Sequence, residues 1–361
     1  MAGETPVQIF HLEERKNRFR SAGFLINTGV LLLFLSVPLL FPSFKTVDLA
    51  VKIMIFGVLV ASFDILLGYT GILSFGHGMF FGLGAYCVAL VMGKYGDPSY
   101  LNFIFGMVVA TIIASALAMF ISFLSLRVKA IFFAMITLAI AELAIVLATK
   151  LSGFTGGEDG ISVSMPGIFA ISFSMGDFMG FEVTGRIVTY YFLLLSCLGL
   201  FVLMLRFTHS PLGHVLQAIR DNVQRAEALG YKTFIFQCIS ITFGCVVATG
   251  AGGLYAVWVG YVNPESCLGV TTIMMDVLLM VIIGGMGTLY GGFVGAAFVL
   301  IAQTFLPDLQ NAAKSLFPHA PFLHNILERW LLIFGILFIL VVIFFPKGVM
   351  GSVREFIDRR K

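Results

Sequence analysis

Ten apolar blocks constrain this chain more than any other feature, because most of them are close to the length that crosses a lipid bilayer. They fall at about 24–42, 49–68, 75–93, 101–125, 131–149, 187–207, 234–262, 271–286, 289–306 and 327–345. A transmembrane helix needs roughly 20 apolar residues. The blocks are continuous, whereas barrel strands alternate apolar and polar positions, so helices are expected. Overall, 59% of the 361 residues are hydrophobic and 11% are charged, and the mean hydropathy is +1.01. A water-soluble domain of this make-up would expose large apolar patches. The expected fold class is an all-α polytopic membrane protein with about ten spans, some short or broken.

Charge placement gives the orientation. Residues 1–22 carry Arg15, Lys16, Arg18 and Arg20 ahead of the first block, which is full length and has no small-residue cleavage site after it. It reads as a retained first span. With the amino terminus inside, 15 of the 22 Lys and Arg residues fall on the inner side and seven on the outer side. This asymmetry predicts cytoplasmic termini and an even number of spans. The expected organisation is a cytoplasmic segment at 1–23, a transmembrane domain at 24–346 with a cytoplasmic loop at 208–233, and a basic tail at 347–361. Residues 150–186 and 307–326 would be the long outer loops, the second irregular or holding only a short helix because it contains Pro307, Pro318 and Pro321.

The inner loop has a pattern of its own. In 211–229, Leu212, Val215, Leu216, Ile219, Val223, Ala226 and Leu229 share one helical face. Ser210 suits the N-cap, Pro211 the first turn and Gly230 the residue just past the end. The opposite face carries His214, Gln217, Arg220, Asp221, Gln224 and Arg225. A single amphipathic helix of about five turns is expected. It would lie in the headgroups or dock into a protein groove, and its mixed charges suit the second setting.

Sites for chemistry are few. There is no G-x-x-x-x-G-K-[ST], H-E-x-x-H or G-x-S-x-G, and Cys87, Cys197, Cys238, Cys245 and Cys267 lack metal-type spacing. No enzymatic or metal site is expected. Asp64, His77, Glu142 and Asp276 fall within or beside the blocks. A charge at the bilayer centre costs about 2.5–3.5 kcal/mol on insertion scales, so such groups normally face protein or water. Asp64 and Asp276 are expected near helix ends, hydrated at headgroup level. Glu142 is mid-block and needs a partner, with Thr137 a candidate donor. His77 lies in the glycine-dense run 68–84, which suits either a broken helix lining a cavity or close helix packing. Gly284, Gly285, Gly287, Gly291 and Gly292 would form a tight turn or a re-entrant break. Ser74, Phe75, His77, Phe80, Phe81 and Glu142 are the candidate pathway residues.

Several of these segments resemble one family. GHVLQAIRDNVQRAEALGYK at 213–232 resembles the ATPase-docking loop of the membrane subunits of branched-chain amino-acid ABC importers. GYTGILSFGHGMFFGLGAY at 68–86, TLAIAELAIVL at 137–147, FTGGEDGI at 154–161 and IIGGMGTLYGGFVGA at 282–296 are similar to family blocks in the same order, and the order suits the M-type permease. Asp64 and Gly292 stand where the family would be expected to have Asn and Pro. The resemblance implies a non-enzymatic permease that moves branched-chain or related amino acids by alternating access in the prokaryotic inner membrane. It would bind no cofactor itself and receive the work of ATP through partners. These would be two cytoplasmic ATPase subunits, a second homologous permease and an extracytoplasmic binding protein, in membrane lipid and with no nucleic acid. Gly213, Leu216, Ile219, Arg220, Asp221, Asn222, Ala226, Glu227 and Gly230 would carry ATPase coupling, the apolar face filling a groove on the ATPase and Arg220 and Asp221 fixing register at its rim. Urea and short-amide permeases share these blocks, and a self-sufficient channel or secondary transporter is the further alternative.

Overall fold

The computed structural model describes residues 32–41, 43–94, 96–128, 130–169, 174–178, 181–316 and 330–352. The expected segment 1–23, most of the first span and the tail beyond residue 352 lie outside them. The chain divides into two units at residue 50. The described part of the first holds a helix, α1, at 32–40 and the start of α2, where the Thr46 hydroxyl donates to the Phe41 and Ser43 carbonyls at 2.8 and 2.9 Å.

Helices dominate the rest. They are α2 (Phe44–Asp64), α3 (His77–Ala89), α4 (Tyr100–Ser125), α5 (Ala130–Lys150), the single turn α6 (Ser152–Thr155) and α7 (Gly185–Thr208). After these come α8 (Pro211–Asp221), α9 (Val223–Ala228), α10 (Thr233–Val259), α11 (Pro264–Leu268), α12 (Met275–Gly284), α13 (Leu289–Leu316) and α14 (Trp330–Phe344). Wider π turns extend α2 over Ile65–Tyr69, extend α3 over Leu90–Lys94 and precede α12 over Val270–Met274. Among the described residues, seven helices are long and apolar enough to cross a membrane. The apolar blocks at 75–93 and 271–286 correspond to α3 and α12, each lengthened by a π turn.

The core is built around α2. From Val51 to Leu66 nearly every side chain is buried, as expected of a helix that is apolar on all sides. Phe56 meets Phe81 of α3 and Tyr255 of α10, while Gly57 faces Phe293 of α13. Helices α3 and α10 approach until their backbones touch. A Cβ at Gly252 would stand 2.6 Å from the Phe81 carbonyl carbon, and one at Gly84 would stand 2.7 Å from that of Thr249. Between helices in lipid there is no hydrophobic drive to associate, so close approach through small residues supplies the attraction. By contrast, α4, α5 and α7 bury less than a third of their most apolar windows within this chain.

The connections sort into two groups, as an alternating topology requires. In one, the Lys94 ammonium donates to the Gly153 and Phe154 carbonyls, and the two-residue strands β1 (Ile161–Ser162) and β4 (Tyr261–Val262) pair antiparallel. A hairpin of β2 (Ser174–Phe178) and β3 (Phe181–Thr184) belongs to the same long loop as β1. In the other group, the π turn ending α2, the helix α8 and the turn between α12 and α13 come together.

Two expectations need correction. The segment 211–229 is not one helix. Asn222 breaks it with extended backbone (φ −163°, ψ 105°), and its side chain caps α9 by accepting the Arg225 amide at 2.9 Å. A side chain that competes for backbone hydrogen bonds suits a cap better than a helix interior. The stretch after Pro307 is also more regular than expected, since α13 runs through it to Leu316. The remainder of that loop, 317–326, lies outside the described residues.

The α3–α10 contact makes a direct prediction. Gly252→Ala should lower stability by about 1–3 kcal/mol, the usual cost of overpacking. Gly199→Ala on α7, where an added Cβ meets nothing within 4 Å, should be neutral or slightly stabilising. Thermal unfolding of the two variants in detergent checks the difference.

Candidate functional site

Helices α8 and α9 have one face against the chain and one face open. Ser210 caps α8 by accepting the Gly213 amide at 3.4 Å, and Pro211 occupies the first turn, as the sequence predicts. Gly213, Leu216, Ile219 and Ala226 are buried, the two large side chains completely. They pack into this chain, α8 lying against α7, α10 and the π turn of α2. The expectation that this face fills a groove on another protein is corrected for Leu216, Ile219 and Ala226, which this chain already buries, whereas Val223 and Leu229 stay exposed. Leu229 is 72% exposed, because the break at Asn222 turns the second half of the pattern away. Exposed instead are His214, Gln217, Ala218, Arg220, Asp221, Asn222, Gln224, Arg225, Glu227 and Gly230. Glu227 accepts the Thr233 hydroxyl at 2.8 Å, tying α9 to the start of α10.

Arg220 turns inward at its tip. Its Nη1 donates to the Gly68 carbonyl in the π turn of α2. Nearby, Asp64 is 1% exposed and accepts the Gly287 amide at 2.8 Å through Oδ1. The expected headgroup setting for Asp64 is replaced by a buried one, because the turn after α12 brings an unpaired N–H to the carboxylate. The glycines at 284–287 therefore form the tight turn rather than a re-entrant break, and Gly287 takes φ +83°, which favours glycine. Asp276 is half-buried and accepts from the Gln303 amide at 3.1 Å.

The candidate pathway residues separate. Ser74, Gly76 and Phe80 border a narrow void with Thr137, Ile241 and Cys245, which has room for about one water molecule. Phe75 is half-buried, and its amide donates to Thr137 Oγ1 at 3.2 Å. Phe81 points elsewhere, onto Phe56 and Tyr255. His77 is fully buried as the first residue of α3, beside Phe63, with Nε2 2.8 Å from Ser62 Oγ. The Ser62 hydroxyl has one hydrogen, which goes to the Leu59 carbonyl at 2.7 Å. The network therefore assigns the ring proton to Nε2 and leaves Nδ1 an acceptor, buried without a hydrogen-bond partner. Both readings of the glycine run hold in part: residues 71–74 form a non-helical connector, and Gly82 and Gly84 serve close packing.

Glu142 departs furthest from expectation. It is exposed near the middle of α5, and Thr137 does not serve it, its hydroxyl donating to the Ala134 carbonyl at 2.9 Å.

Comparison with known proteins places this geometry. The pattern of the family described as "Branched-chain amino acid transport system / permease component" matches residues 45–342. The chain belongs to that family. It is 29% identical over 324 residues to the high-affinity branched-chain amino acid transport system permease protein LivM of Escherichia coli, covering 86% of this chain and 71% of the relative. The Salmonella typhimurium protein of the same name is 28% identical over the same shares. A probable branched-chain amino acid transport permease protein LivM of Methanocaldococcus jannaschii is 25% identical over 252 residues, 68% of each chain. No solved structure matches. Membership makes this chain a multi-pass permease component of a transport system.

Sequence reasoning missed Ser62, Gly68 and Gly287 as partners of His77, Arg220 and Asp64. One signal was available: Asp64 and Gly68 are four apart, so a carboxylate and an open backbone position share one helical face. Ser62→Ala should cost about 1–3 kcal/mol, because it strands the buried Nε2–H. Thermal unfolding of the purified permease measures this, and His77→Leu in the same background should recover part of the loss.

Proposed function

We propose that this chain is the membrane-spanning permease subunit of an ATP-driven importer of branched-chain amino acids, and that α8 and α9 form its docking element for cytoplasmic ATPase subunits. The observation that carries the reading is the match to the permease family over residues 45–342. The relatives named for branched-chain transport support this substrate class over urea or short amides. The chain's own residues favour docking through the polar face of α8 and α9, where Gln217, Ala218, Asp221 and Arg225 are exposed. Of the coupling residues expected from the sequence, the exposed Asp221, Asn222, Glu227 and Gly230 act by contact. Gly213, Leu216, Ile219 and Ala226 act by seating α8 and α9 on the permease.

ATP is bound by the partner chains and not by this one. A second permease subunit completes the pathway. Two observations support that arrangement. The void beside Ser74 and Phe80 is too small for a leucine side chain, so this chain alone offers no room there. Glu142 is exposed in mid-span, where lipid is a costly neighbour and a partner subunit or a water-lined pathway is not. A soluble binding protein delivers substrate from outside. The chain resides in the prokaryotic inner membrane with both termini cytoplasmic, as the distribution of Lys and Arg favours. In chain order the domains are a cytoplasmic lead at 1–23, the permease domain at 24–346 and a basic tail at 347–361.

A bulky side chain on the open face of α8 tests the reading. Single charge changes there should do little, since exposed pairs are worth about 0–1 kcal/mol. Ala218→Trp should reduce co-purified ATPase and leucine uptake at least about tenfold, with the permease inserted at normal levels. Wild-type ATPase recovery from Ala218→Trp would remove α8 as the docking element.

A further inference from the structure

Helix α8 meets the membrane core at one polar point, where three segments far apart in sequence converge. Arg220, on the last turn of α8, donates through Nη1 to the Gly68 carbonyl, 152 residues away in the chain. Four residues before Gly68, Asp64 holds the Gly287 amide, 223 residues away. Glycine is needed at both backbone positions. A Cβ on Gly287 would stand 3.1 Å from Arg220 Nη1, and one on Gly68 would strike the Asp64 carboxylate and the Gly287 nitrogen. The end of α2, the end of α8 and the turn between α12 and α13 therefore share one junction, with no side chain between them to act as a cushion.

One acceptor at this junction is unfilled. Asp64 Oδ2 is buried and makes no hydrogen bond of ordinary geometry, although the Thr288 amide of the same turn also faces the carboxylate. Arg220 Nη1 lies beside Gly287, the residue whose amide Asp64 holds. A guanidinium carries five donors in a rigid planar fork, so it can hold a carbonyl with one edge and reach a carboxylate with another, which an ammonium cannot do in the same geometry.

We propose that Arg220 is a positioning residue that carries movement of α8 into the membrane core, gripping the Gly68 carbonyl in the state described here and engaging Asp64 Oδ2 when α8 shifts. Engaging Oδ2 changes the hold of Asp64 on Gly287 and so moves the turn joining α12 to α13. The proposal rests on α8 being the ATPase-docking element, and it gives Arg220, whose side chain is exposed but whose tip reaches the Gly68 carbonyl, the role of holding the core rather than of contacting the ATPase.

The test uses the whole transport complex, permease pair with its ATPase and binding protein, in proteoliposomes. Three quantities are read: ATPase retained per permease, leucine uptake per retained ATPase, and leucine-stimulated ATP hydrolysis. Arg220→Ala should keep ATPase at wild-type stoichiometry, yet lose at least tenfold in uptake and in stimulated hydrolysis. Asp64→Asn preserves an acceptor for the Gly287 amide but removes the charge, and it should give the same uncoupled behaviour. The double variant should be no worse than either single one, since both act through one contact. Arg220→Lys keeps the charge but not the fork and should fall between, several-fold below wild type. Wild-type uptake by Arg220→Ala, loss of ATPase from it, or additive losses in the double variant would each overturn the proposal. If Arg220→Ala does not accumulate in the membrane, Arg220→Lys decides, and wild-type uptake by it overturns the proposal. Absence of ATPase from the wild-type complex would instead overturn the docking reading, and this proposal with it.

Discussion

Backbone contact between α3 and α10 is the interaction on which the rest of the structure depends. Hydrophobic burial cannot hold helices together where lipid is as apolar as leucine, so attraction must come from dispersion at short range and from polar groups that find partners. Gly84 against Thr249 and Gly252 against Phe81 bring two helices together along about one turn of α10. That pairing encloses α2, whose side chains then lie almost wholly inside protein. Any polar atom on α2 must be satisfied by its immediate neighbours. Ser62 and His77 pair for this reason, and Asp64 takes a backbone amide from the turn after α12.

Much of this was legible from residues alone. Block length located the seven long apolar helices among the described residues but also counted α3 and α12, which are not among those seven, and the glycine runs marked the places where the chain turns or packs closely. Ser210 and Pro211 marked the first turn of α8 correctly, but its end at Asp221 was not foreseen. What the sequence could not supply was the identity of neighbours. Period 3.6 reports that one face of α8 is buried, not what buries it, so Leu216 and Ile219 suggested another protein when they face α7 and α10. The spacing of Arg220 sets it opposite the apolar face as a surface charge, and it is exposed, but spacing does not report that its tip also reaches the Gly68 carbonyl. A long side chain can nevertheless fold back over the helix end, and only the position of the Gly68 carbonyl decides the matter.

The errors share a cause. Asn222 was read as one more polar position in a continuing helix, because periodicity counts side-chain polarity and ignores backbone preference. Asp64 was read as hydrated because it stands near the end of an apolar block. In both cases local pattern lost to a specific hydrogen bond: the Arg225 amide for Asn222 and the Gly287 amide for Asp64. Partners 223 residues apart leave no mark in a window of twenty.

The bare carboxylate of Glu142 bears on the order in which the complex is made. A newly inserted chain standing alone in lipid would have to draw headgroup water down to that group, which leaves α5 poorly settled. The lone subunit is thus a less comfortable resident of the bilayer than the assembled one. In the assembly proposed above, that side chain would give biogenesis a direction: a subunit without its partner would carry an unsettled span, and pairing would cover it.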